Sequence, residues 1–111
     1  MKSDRELLEL AARAAGIPGR FVEKTPLDGY PRYSCGIGKD YQLALLWNPL
    51  ECDGDALRLA VKLQLELTVF RDHVTAFSAT GWCDELNFDD PYDATRRAIV
   101  RAAAAIGEAM E

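Results

Sequence analysis

The chain has 111 residues, of which 49% are apolar and 28% charged, and carries a formal net charge of −5. A chain of this size makes one domain (residues 1–111) that can close a core without metal or disulfide, and its composition excludes long disorder. Basic and acidic residues number 7 and 9 up to residue 55 and 6 and 9 after it, which excludes the concentrated positive charge that nucleic-acid phosphates require.

The first element is a helix over about 3–15. Ser3-Asp4-Arg5-Glu6 is a capping box, in which Ser3 accepts from the Glu6 N–H and Glu6 reaches back to the Ser3 N–H. Leu7, Leu8, Ala11, Ala14 and Ala15 form one apolar face, Gly16 suits a left-handed residue after the last turn, and Pro18 blocks continuation. Between residues 19 and 40 turn signals dominate. Short strands are expected at Arg20–Glu23 and Tyr30–Cys35, and Gly36-Ile37-Gly38-Lys39-Asp40 reads as a turn into the next strand, Tyr41–Trp47. Asn48-Pro49 ends that strand, since proline cannot donate a ladder hydrogen bond.

A second helix is expected over 53–64, capped by Asp53 or Asp55, with Ala56, Leu57, Ala60, Val61 and Leu63 buried and Arg58 and Lys62 wet. The alternation Leu65-Glu66-Leu67-Thr68-Val69 predicts a half-buried strand. Arg71-Asp72-His73 makes the turn and Val74–Ala79 returns, giving a hairpin over 65–79. Trp82 to Asp89 reads as a polar acidic loop. Asp90 then caps a helix over 91–106 with Pro91 in its first position. Tyr92, Thr95, Ala98, Ile99, Ala102 and Ile106 line its buried face, Ala104 faces water, and Asp93 precedes Arg97 by four residues. The fold class is α+β: a small antiparallel sheet packed by three helices.

Trp47-Asn48-Pro49-Leu50, the run Asp53–Leu63 and the ending Asp90–Ala103 resemble small uncharacterised proteins of tailed bacteriophages and prophages, the phage α/β/α sandwich proteins. The likeness covers residues 41–111 and, before them, only the placement of the first helix. It implies a plan of N-terminal helix, central helix, hairpin and C-terminal helix, in an accessory protein acting in the host cytoplasm. It implies no activity.

The residues themselves present no catalytic set. His73 is the only histidine and falls in a turn, where a polar residue is expected anyway. Cys35, Cys52 and Cys83 show no zinc-knuckle spacing and are too few for a disulfide framework, so thiols in a reducing compartment are expected. The acidic residues Asp84, Glu85, Asp89, Asp90 and Asp93 lack calcium-loop spacing, and the last two have work at the helix start. Gly36-Ile37-Gly38-Lys39 lacks the longer glycine spacing and the Lys-Ser/Thr pair of a phosphate loop. Arg96, Arg97 and Arg101 have acids nearby to neutralise them. Trp47 ends an apolar strand and reads as core. Trp82, beside Gly81 and the acidic loop, is the candidate partner-contact residue.

The reading is a non-enzymatic protein-binding module in the bacterial cytoplasm, with no cofactor and no catalytic or metal residues. Its partner is a protein, not nucleic acid or membrane, and a homodimer is compatible with the sequence. The alternatives are a small metal-assisted enzyme built on residues 84–93 and, more weakly, an acidic DNA mimic.

Overall fold

The computed structural model describes residues 2–23, 35–38, 46–86 and 89–110. In chain order these form α1 (Asp4–Ala15), β1 (Arg20–Glu23), β2 (Cys35–Gly38), α2 (Asp53–Lys62), β3 (Glu66–Val69), β4 (His73–Phe77), β5 (Trp82–Leu86) and α3 (Pro91–Ala109). The fold is α+β, with two antiparallel sheets, β1-β2 and β3-β4-β5, packed by helices.

Helix α1 follows its local signals. The Ser3 hydroxyl accepts from the Glu6 N–H and the Glu6 carboxylate accepts from the Ser3 N–H, while Gly16 adopts φ 69°. Leu7, Leu8, Ala11 and Ala15 are buried, and so is Ala12. The strand expected at Arg20–Glu23 is present. Of the one expected at Tyr30–Cys35 only Cys35 is described, and of Tyr41–Trp47 only Leu46 and Trp47. The glycine pair expected as a turn is instead strand: Gly36 and Gly38 belong to β2, and Ile37 bridges Trp47 through both backbone groups. Trp47 is half-buried and packs on the main core.

Helix α2 departs from expectation at its cap and its phase. Cys52 is the N-cap, its sulfur accepting from the Asp55 N–H at 3.4 Å. Asp53 and Asp55 are otherwise engaged, Asp53 with Arg96 and Asp55 with the Asn48 N–H and with Arg58. The buried residues are Ala56, Leu59 and Ala60, whereas Leu57 and Val61 are 61% and 68% exposed. The helix ends with Leu65 N–H bonded to Ala60 O and Gln64 N–H to Val61 O, which forces Gln64 to φ 55°. A side chain there is strained, so Gln64→Gly should stabilise the protein by about 1 kcal/mol; urea denaturation checks this.

The 65–79 hairpin forms, but β3 is not half-buried: all four of its residues are exposed. It is the edge of its sheet, and the helices cover only the neighbouring strands. The supposed polar loop after Gly81 is largely a third strand, β5, in register with β4 from Phe77↔Trp82 to His73↔Leu86.

Helix α3 has Asp90 as cap and Pro91 at its start, as expected, and runs on to Ala109. It is buried on two sides. Ala94, Ala98 and Ala102 pack on Val74, Ala76 and Cys83 of the sheet, while Ile99, Val100, Ala103 and Ala104 join α1 in the main core. Ala104, expected in water, is therefore 2% exposed, and Tyr92, expected inside, is 69% exposed. In place of the Asp93–Arg97 pair, Arg97 bonds Asp4 on α1, and Asp93 lies 3.7 Å from Arg96 within α3. Ala104→Lys should cost about 2 kcal/mol through overpacking and desolvation of the ammonium. Ala102→Leu should cost as much on the opposite face. Thermal melts of both variants check the two-sided burial, which fails if either melts like the parent.

Candidate functional site

Strand alternation decides which side chains of β3-β4-β5 meet solvent. Residues opposite one another across an antiparallel pair share a face. Val74, Ala76 and Cys83 point at α3 and are buried. The other face presents Phe70, Phe77, Trp82 and Leu86, which are 46%, 45%, 62% and 66% exposed. Phe77 stands directly opposite Trp82, and Thr75 donates to Asp84 across the same two strands at 2.7 Å. His73 stacks on Phe70, with ring centroids 4.3 Å apart.

Trp82 also borders a groove of about 380 Å³ with Lys2, Leu7, Arg97, Arg101 and Glu108. The groove's charges are matched from within: Lys2 lies 2.6 Å from Glu108, Arg97 bonds Asp4 and Arg101 bonds Glu85. The hydrogen bonds that the two guanidiniums donate to Asp4 and Glu85 hold both above their ordinary pKa. The indole of Trp82 is the large apolar group that this groove leaves to solvent.

The candidate chemistries are dispersed. His73, expected in the turn, is instead the first residue of β4; its Nδ1 lies 2.8 Å from Asp72 Oδ1, and that bond lowers the Asp72 pKa. Asp84 is bonded to Thr75, Glu85 to Arg101, and Asp90 to the backbone of Tyr92 and Asp93. Among the described residues no group of three or more His, Cys, Asp or Glu side chains is placed to hold a metal, and no helix is long and apolar enough to cross a membrane. Arg96 is held by Asp53 at 2.7 Å and the Leu50 carbonyl at 2.9 Å.

Cys83 lies under the sheet, and burial raises its thiol from 9.0 to about 11. Less thiolate forms at pH 8 than on an ordinary cysteine, by about a hundredfold, so alkylation should be slower in proportion. Because the folded value is the higher one, the folded state favours the protonated thiol. Its contribution to stability is complete below about pH 9 and is lost as pH rises through about 11. Timed alkylation with mass spectrometry, and melts across that window in Cys83→Ala and parent, check both statements.

The chain matches no family model, no curated protein and no solved structure. The outer sheet face and its groove are therefore the ground for a functional reading. Sequence reasoning singled out Trp82 by residue type but missed Phe77 and Leu86. The alternation Trp82-Cys83-Asp84-Glu85-Leu86 was the available signal, masked by its acids.

Proposed function

We propose that the protein is a non-enzymatic protein-binding module, a phage or prophage accessory protein acting in the cytoplasm of a bacterial host, which docks its partner on the outer face of β3-β4-β5. The observation that carries this reading is that Phe77, Trp82 and Leu86 stand exposed on one face of the sheet, Phe77 directly opposite Trp82. Large apolar side chains clustered in water mark interaction surfaces, and tryptophan at such a centre commonly dominates the binding energy. Among the described residues the charged groups beside Trp82 are spent on one another in ion pairs, which favours docking over catalysis.

Affinity capture from host lysate, with parent, Trp82→Ala and Tyr92→Ala proteins side by side, tests the reading. Parent and Tyr92→Ala should retain the same protein, since Tyr92 lies at the start of α3, away from this face. Trp82→Ala should bind it at least about tenfold more weakly, a hot-spot loss. Failure of the parent to retain any protein above background, or equal retention by Trp82→Ala, would sink the proposal.

A further inference from the structure

The opposite edge of the same sheet carries a second, independent apolar surface. Leu57 on α2, Leu67 and Val69 on β3, and Tyr92 on α3 line a trough of about 530 Å³, with Ile99 also among its lining residues. Val61 is a further exposed apolar residue one turn along from Leu57 on α2. The periodicity of α2 and the alternation of β3 both demand burial for these positions, and the single chain does not supply it. Strand β3 is also an edge, with no strand on its outer side among the described residues. Edges of this kind invite pairing unless charge or proline blocks them, and Glu66 is the only charge within β3.

We propose that the occupant of this edge is a second copy of the chain, pairing β3 with β3 antiparallel about a two-fold axis to give one continuous six-stranded sheet. Three features of the edge are self-complementary. The Phe70 N–H bonds His73 O, which fixes the hairpin register and turns the backbone groups of Leu67 and Val69 away from β4. Two such strands, set antiparallel, exchange those groups between Leu67 of one and Val69 of the other, with Thr68 facing Thr68 on the axis. Charge fits the same arrangement. The strand has Glu66 at its start and Arg71 just past its end, both exposed, so reversal brings the acidic end of each copy to the basic end of the other. Finally, a two-fold normal to the sheet sets both α2 helices on one side of it, so that Leu57 and Val61 of each copy cover those of the other. An interface of this type is isologous and closes on itself as a dimer.

The partner face around Trp82 lies at the other edge and stays open, so this proposal stands or falls apart from the docking reading. The test uses the whole chain in sedimentation equilibrium across the micromolar range, with circular dichroism to verify folding. The parent should be a dimer. Leu67→Lys, at an exposed position, should remain folded and dissociate at least about tenfold more readily, as a lysine guarding an edge does. Thr68→Cys should cross-link to a dimer under mild oxidation beyond the parent's background, because facing residues without mutual hydrogen bonds lie about 4.5 Å apart at Cα, within disulfide reach. A parent that is monomeric throughout overturns the proposal. So does a dimer indifferent to Leu67→Lys, or a Thr68→Cys protein that cross-links no more than the parent.

Discussion

Gly107→Ala should destabilise the protein by about 3 kcal/mol and lower its melting temperature by about 10 °C or more. Helices α1 and α3 meet here backbone to backbone. A Cβ on Gly107 would lie 2.0 Å from the Leu10 carbonyl oxygen and 2.8 Å from its carbon. Neither atom belongs to a flexible side chain, so one helix must move and open the contact along its length. Alanine's better helix propensity returns about 1 kcal/mol, less than the displacement costs. Gly54→Ala is the matched control. The nearest atoms to its Cβ would be those of the Arg58 guanidinium, at 3.2 Å, the far end of an exposed side chain that can give way, and the change should be neutral or slightly stabilising. Calorimetry of the two variants decides the matter; equal melting temperatures would mean that the helices are not in backbone contact.

Asn48→Ala should cost about 3 kcal/mol, because a fully buried side chain loses two hydrogen bonds at once, one of them from the buried Leu50 N–H. Asn48 is 1% exposed. Its side-chain amide donates to the Cys35 carbonyl at 2.9 Å, and its side-chain oxygen accepts from the Leu50 N–H at 3.0 Å. It thereby ties β2 to the turn that leads into α2. Asn48→Asp keeps the acceptor but sets a carboxylate against the Cys35 carbonyl. Burial favours the protonated acid, which can donate as the amide did. That variant should accordingly be more stable, relative to parent, in mildly acid than in neutral solution. Urea titrations at the two conditions measure both effects, and a loss below about 0.5 kcal/mol for Asn48→Ala would remove the hub role.

What could be read from the sequence was what is decided locally. The Ser3–Glu6 capping box, the left-handed Gly16 and the Asp90-Pro91 helix start each depend on residues within one turn of chain, and the structure has all three. What escaped was decided by distant partners. Cys52 caps α2 because Asp53 and Asp55 are drawn to Arg96, Asn48 and Arg58. Ala104 is buried by α1, and alanine carries no hydropathic mark of the side it faces. Strand β5 looked like a loop because its outer face is solvated and its inner Glu85 is neutralised by Arg101. At the candidate site, Trp82 was legible from its size and chemistry alone. Its neighbours Phe77 and Leu86 needed the register of β4 against β5. Asn48 was read as punctuation before a proline; nothing local shows that its amide reaches back to Cys35.

The pairing of α1 with α3 also sets an order of events in synthesis. Asp4 meets Arg97 across 93 positions, and Arg13 donates to the Met110 carbonyl across 97. A ribosome therefore delivers α1 long before its cover exists. A helix of 12 residues is marginal in water by itself, so Leu7, Leu8, Ala11 and Ala15 remain available to solvent or to chaperones until α3 has been made. Such distant contacts slow folding, because a long loop must close before they contribute. Helix α3 completes the core that α1 begins, so a nascent chain halted before it should be a target for proteolysis rather than a smaller folded protein.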